Sequence, residues 1–315
     1  MQELFVYGAG IRGRKTARTL IEHGIAVAGF FDSFKTGTVD VETGGGTETR
    51  PIVPLGAVEG KSDAAAIVAI MNPEARKDAE AKLAAAGIKV IVDIKDLLFS
   101  GRDRVEQERL YIAERHVSNM DGYFARAESA ESLATFWAED SLFRRRFDTL
   151  NLESVIELAC GRGRHVPQYI GRAGRVTLVD ILRKNIDLCK ERFAGNGKIS
   201  YLVNDGKSLA GLPSDSYTAV FSYDAMVHFE LLDIFSYLKE MNRVLRRGGR
   251  ALIHHSNNTK SHKLLFETAE HGRNYMSKDL FAYLAFRAGL EVVEQDVFDW
   301  GDSPSLDCLS LVEKP

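Results

Sequence analysis

The stretch VIELACGRGRH (residues 155–165) decides the fold. It opens as a short apolar run, the mark of a strand buried on both faces, and ends in a turn containing Gly161 and Gly163. Glycine turns after strands usually receive phosphate, because backbone N–H groups at the following helix start face the ligand. Here a carboxylate, Glu157, stands at the mouth of the turn and would repel a pyrophosphate. The next strand-like run, RVTLVD, ends in Asp180, and KISYLV is followed by Asp205 in NDG. TAVFSY and RALIHH are further strand candidates, with helical segments between, the clearest at residues 231–245. Such alternation implies a parallel sheet with helices on both faces. Ligands bind such sheets at the carboxyl ends of the strands. Glu157, Asp180 and Asp205 are therefore expected to converge on one crevice. That crevice suits a ribose diol, an adenine amino group and a positive centre, and Gly161 and Gly163 let the backbone approach the ligand.

In these features the sequence resembles the class I S-adenosylmethionine-dependent methyltransferases. ELACGRGR is similar to their first motif, and Asp180 and NDG fall in the expected later places. LKEMNRVLRRGGRALIHH (residues 238–255) is similar to the helix, turn and strand that follow the fourth strand, and the resemblance spans residues 136–314. It implies a seven-stranded sheet with an antiparallel edge strand, and S-adenosylmethionine as cofactor. Glu157, Gly161 and Gly163 would then frame the methionine end, and Asp180 would bond the ribose hydroxyls. Asp205 would lie near the adenine amino group, with Gly206 letting the loop pass it and Ser222 beside cofactor and acceptor. Ala159 stands where the family usually has its first glycine. A hydroxyl acceptor is helped by a general base, for which His228, His254 and His255 are the candidates. Successive side chains of a strand point to opposite faces, so at most one of His254 and His255 is expected to face the pocket. Asn257 and Asn258 could bond sugar hydroxyls or form the turn.

A second glycine turn, VYGAGIRG (residues 6–13), has no acid inside it. Gly8, Gly10 and Gly13 make G-x-G-x-x-G between a strand and a helix, and Asp32 ends the next strand, which is the context of a dinucleotide fingerprint. The region resembles small Rossmann-like domains that precede sugar acyltransferases and accompany some polysaccharide-modifying methyltransferases. That implies a bound nucleotide or nucleotide-sugar; a nicotinamide dinucleotide and an emptied scaffold are the alternatives. SFKTGTVDVETGGGTETRP (residues 33–51), rich in glycine and threonine, reads as a surface loop. The expected organisation is two doubly wound α/β sheets: a Rossmann-like domain at residues 1–100, a helical connector or lid at 101–150, and a methyltransferase domain at 151–315.

Composition bounds the function. The chain has 315 residues, 45% hydrophobic and 27% charged, with a net charge of −3. That balance, with no basic aromatic strip, argues against nucleic acid. No apolar run approaches the roughly 20 residues of a membrane span. The three cysteines are odd in number and widely spaced, which suggests a reducing, cytoplasmic compartment and no metal cluster. A strand-like run at the start leaves no visible signal peptide. The triple arginine at 144–146 reads as a solvated helix face rather than an anion site. The reading is an enzyme that methylates a hydroxyl of a sugar or other small polar metabolite. A non-catalytic nucleotide-sensing protein and a nicotinamide-dependent oxidoreductase are the competing readings. Neither the acceptor nor the oligomeric state is written in the sequence.

Overall fold

The computed structural model describes residues 3–58, 63–70, 72–91, 94–98, 104–118, 121–260, 262 and 269–315. The chain divides into two compact units, Met1–Val105 with Lys263–Gly272, and Glu106–His262 with Arg273–Pro315. The domain boundary expected at residue 100 lies outside the described residues.

The first unit holds β1 (Glu3–Tyr7), α1 (Ile11–Glu22), β2 (Gly29–Phe31), β3 (Gly37–Thr43), β4 (Gly46–Ile52), β5 (Ala64–Val68), α2 (Pro73–Ala85), β6 (Lys89–Ile91) and the single turn α3 (Lys95–Leu98). Its sheet has the order β3-β4-β2-β1-β5-β6. The central strands are parallel, and β3 and β4 form an antiparallel hairpin at one edge. α2 starts with Asn72, whose side chain accepts from the Glu74 and Ala75 N–H groups, and with proline at the first helical position. The hairpin corrects the loop expected at residues 33–51. Val39 and Val41 alternate with Thr38, Asp40 and Glu42, so one face reaches the core while the other faces water. Cross-strand bonds from Thr49 to Asp40 (2.6 Å) and Thr47 to Glu42 (2.9 Å) tie the outer face.

The second unit opens with four helices, α4 (Arg104–Ser118), α5 (Asp121–Ala127), α6 (Ala130–Phe136) and α7 (Leu142–Phe147). The sheet region follows as β7 (Ser154–Leu158), α8 (Val166–Tyr169), β8 (Arg175–Asp180), α9 (Arg183–Arg192), β9 (Ile199–Val203), β10 (Tyr217–Ser222), α10 (Leu231–Val244), β11 (Leu245–Ser256), α11 (Lys278–Arg287), β12 (Glu291–Trp300) and β13 (Ser303–Glu313). The strand order is β12-β13-β11-β10-β7-β8-β9. All neighbouring pairs from β9 to β11 are parallel, while β13 runs antiparallel to both β11 and β12. The antiparallel strand is thus one place in from the edge, which β12 occupies.

Period 2 builds the core on both sides of β7. Ile156 and Leu158 pack with Met241, Val244 and Phe281 from α10 and α11. Val155 packs on the other side with Trp137, Phe147 and Tyr169. Glu157 shares the parity of Val155 and is carried to that second face, in a strand where all five residues are buried. The triple arginine is not a bare cationic face. Arg146 grips Asp296 (2.7 and 2.9 Å) and Glu294 of β12, Arg144 pairs with Asp148, and Arg145 donates to the Asp140 carbonyl.

Candidate active site

The order reverses between β7 and β10, since β8 and β9 lie to one side of β7 and β10 and β11 to the other. This switch point leaves a crevice at the strands' carboxyl ends. A cleft with about 1140 Å³ of open space lies there, wholly within the second unit. One side of it is lined by Glu157 to Arg162, Asp180 to Leu182, Asn204 and Gly206, and the side beyond β10 by Tyr223, Asp224, Ala225 and His228. Arg109, Ile112 and Ala113 of α4 and Phe124 of α5 cover it. Among the described residues six carboxylates line it against three guanidiniums, a balance that favours a cationic ligand.

The turn after β7 winds left-handed at Ala159 (φ 55°), Gly161 (54°) and Gly163 (72°). At Gly163 a Cβ would stand 2.6 Å from the Phe193 ring, so glycine is required there. Ala159 adopts the left-handed backbone although it carries a Cβ, a strain of roughly 1–2 kcal/mol. Two acids are fixed around this turn. Glu157 accepts from the Tyr169 hydroxyl at 2.7 Å. Its burial pushes the carboxyl up to about 7, against the pull of Tyr169 and two arginines. Asp180 accepts from the Gly161 N–H (2.9 Å), the Leu182 N–H (2.8 Å) and Asn185 (3.1 Å). Burial still pushes it up to about 6.

The third acid does not join them. Asp205 is exposed, and its Oδ1 accepts from the Lys207 and Ser208 N–H groups in a local turn. Its neighbours Asn204 and Gly206 line the cleft instead. Asn204 donates to Ser208 O and Tyr237, leaving its buried Oδ1 without a hydrogen bond among the described residues. Ser222 is buried in β10 but does not line the cleft, and Tyr223 and Asp224 take that place.

The three histidines separate sharply. His228 lines the cleft in the short turn Met226–His228. His254 is fully buried: its Nδ1 accepts from the Asp224 N–H (3.0 Å), so its Nε2 donates to Asp307 (3.0 Å). His255 lies on the opposite face, stacked on Phe281 at 4.0 Å, with Nδ1 donating to Ser256 O and Nε2 accepting from Ser310. Burial holds it down at about 3. Both nitrogens of each ring are engaged, which removes His254 and His255 as bases. Asn257 and Asn258 also serve the chain, donating to the Ser305 and Arg273 carbonyls.

The structure adds Asp224, Arg164 and Arg109, which sequence reasoning passed over. Asp224 lies two residues past the end of β10, so a rule that looks for acids just after the carboxyl ends of the parallel strands would have found it. Arg109 holds Asp233 of α10 in a bidentate pair (2.8 and 2.6 Å), and that partnership is invisible in sequence.

The first unit repeats the same wiring. There the Gly8 N–H donates to Phe31 O, the Ala9 N–H to Asp32 Oδ2 (2.7 Å) and the Phe34 N–H to Asp32 Oδ1 (2.9 Å). In the second unit the Cys160 N–H donates to Val179 O, Gly161 to Asp180 Oδ2 and Leu182 to Asp180 Oδ1. Gly13 allows α1 to sit on this turn, since a Cβ there would come within 1.6 Å of the Gly8 carbonyl oxygen.

The chain is similar in fold to known proteins. A family model described as a methyltransferase domain matches residues 156–253. The N-methyltransferase NodS of Bradyrhizobium japonicum, solved with S-adenosyl-L-homocysteine, superposes with a TM-score of 0.51 at 13% identity, covering 66% of this chain and 99% of that one. A putative S-adenosylmethionine-dependent methyltransferase from Listeria monocytogenes gives 0.44 at 14% identity, covering 55% and 97%. No curated protein matches the chain. The second unit has the class I methyltransferase fold. Among the described residues no helix is long and apolar enough to cross a membrane.

Proposed function

We propose that the second unit transfers the methyl group of S-adenosylmethionine to a hydroxyl of a sugar or another small polar metabolite. The observation that carries this reading is the pair of buried acids, Glu157 and Asp180, around a left-handed glycine turn at the sheet's switch point. Asp180 keeps one acceptor site, on Oδ2, for a ribose hydroxyl. Asn204 Oδ1, buried and without a hydrogen bond among the described residues, would accept from an amino group such as that of adenine, and Gly206 and Ile181 line the cleft with it. Glu157 places negative charge where the cationic methionine end would lie. The sulfonium supplies the electrophile when bound. The chain's part is to align the acceptor, keep water out and accept a proton.

For the first unit we propose a nucleotide or nucleotide-sugar ligand at Gly8, Gly10, Gly13 and Asp32. Support comes from the hydrogen-bond pattern it shares with the second unit. It is this unit that favours a sugar as the methyl acceptor.

Calorimetry with S-adenosylmethionine and S-adenosylhomocysteine tests the central reading. Asp180→Asn should weaken binding by about 1–3 kcal/mol, through loss of a charge-assisted bond, while circular dichroism shows an intact fold. A wild-type protein that binds neither compound would favour a non-catalytic role.

A further inference from the structure

The end of β10 carries chemistry the sequence did not suggest. Asp224 is 7% exposed and lines the cleft on the side beyond β10. Its backbone is left-handed at φ 57°, sparsely populated for a residue with a side chain and often found at functional sites. Among the described residues no hydrogen bond reaches its carboxylate. Two guanidiniums pair with it at long range, Arg164 at 3.5 Å and Arg273 at 3.9 Å. These long ion pairs offset part of the cost of burying a carboxylate.

The surrounding network explains how the conformation is held. His254 accepts the Asp224 N–H and donates to Asp307. Asp307 is gripped by Arg273 through two bonds of 2.9 and 2.6 Å, and the Arg273 guanidinium lies 4.4 Å above the Trp300 ring. Three separate segments thus fix the peptide of one residue that lines the cleft.

We propose that Asp224 accepts the proton of the methyl acceptor's hydroxyl, with His254, Asp307 and Arg273 as positioning residues; this rests on the methyltransferase reading above. As the acceptor oxygen bonds to the methyl carbon, its O–H bond breaks and the proton passes to Asp224. The methyl–sulfur bond breaks in the same step, and its electron pair returns to sulfur as the neutral thioether. The resulting carboxylic acid then loses its proton to solvent. Burial pushes this carboxyl up to about 7, with Arg273 pulling down and Asp307 pushing up. A base poised near the working pH is the efficient one. Arg164 faces it from the turn after β7, Tyr223 from the residue before it, His254 from β11, Asp307 from β13 and Arg273 from the segment before α11.

The test uses the full chain and Asp224→Asn, because asparagine tolerates the left-handed backbone. With aspartate labelled at the carboxyl carbon and S-adenosylhomocysteine bound, carbon NMR should show one resonance titrating near neutrality that is absent from the variant. If the resonance lost on substitution titrates below pH 5, the proposal is overturned. Turnover on a panel of sugars, sugar phosphates and nucleotide-sugars should fall about 10²–10⁴-fold in the variant. S-adenosylmethionine affinity should stay within twofold, and the acidic limb of the pH profile should vanish. Near-normal turnover in Asp224→Asn, with the limb lost in His228→Ala instead, would assign the proton to His228. If wild-type protein turned over none of the panel, the NMR titration alone would decide. Failure of the methyltransferase reading shows separately, as wild-type protein that binds neither cofactor form.

Discussion

Glu157 brings the main electrostatic tension of the cleft down to one residue. Its carboxyl is raised from 4.5 to about 7 in the folded protein. A raised acid stabilises the native state only while protonated, so stability falls as pH climbs from near 4.5 through about 7. Glu157→Gln should match wild type at pH 4.5 and exceed it at pH 8 by on the order of 3 kcal/mol, at 1.36 kcal/mol per pKa unit. Urea denaturation at the two pH values measures the gap, and equal curves at both would show that the acid is not held up. A cationic ligand favours the ionised form, so saturating S-adenosylmethionine should narrow the gap. At this scale the sequence was legible where position alone decides. An acid ending a central parallel strand must open on the crevice, and Glu157 and Asp180 do. It was illegible where partners decide: the turn amides claim Asp205, and Asp307, 53 residues away, claims His254.

Elements repeat the lesson. The parallel strands and their helices could be read because apolar runs and caps are local signals. The β3–β4 hairpin was hidden because threonine and glycine suggest a loop, while Val39 and Val41 carry the period-2 pattern inside that composition. The helices at residues 104–147 were legible as a helical connector or lid, but not which of their residues line the cleft. α4 belongs to the site because Arg109 reaches Asp233 across 124 residues of sequence, with both partners under 10% exposed. Removing one partner of a buried pair leaves the other charge uncompensated, at a cost of about 3–5 kcal/mol. Arg109→Met should therefore destabilise by roughly that amount and loosen α4, read as faster amide exchange in residues 106–113. Arg109→Met with Asp233→Leu should recover most of the loss. If the double variant is no better than the single, the pair is not what holds α4.

At the scale of the whole molecule, two units each present a glycine turn closed by an aspartate, and in the second that turn opens on the cleft. The question is whether the first turn is a ligand site or scaffold. Gly13 cannot answer it, because any side chain there would collide with the Gly8 carbonyl and disturb the fold. Gly10 can. Its backbone, at φ −85° and ψ −169°, is open to any residue, and nothing lies within 4 Å of a Cβ built there. Valine at this position should leave the unit folded while blocking approach of a phosphate to the N–H groups at the start of α1. Gly10→Val is thus expected to abolish calorimetric binding of whichever member of a nucleotide and nucleotide-sugar panel the wild-type protein takes up. S-adenosylmethionine binding should be unchanged, because the described residues that line the cleft proposed for it lie in the other unit. Retained nucleotide binding would remove Gly10 from the site. Loss of both would show that the two ligands share or couple their sites.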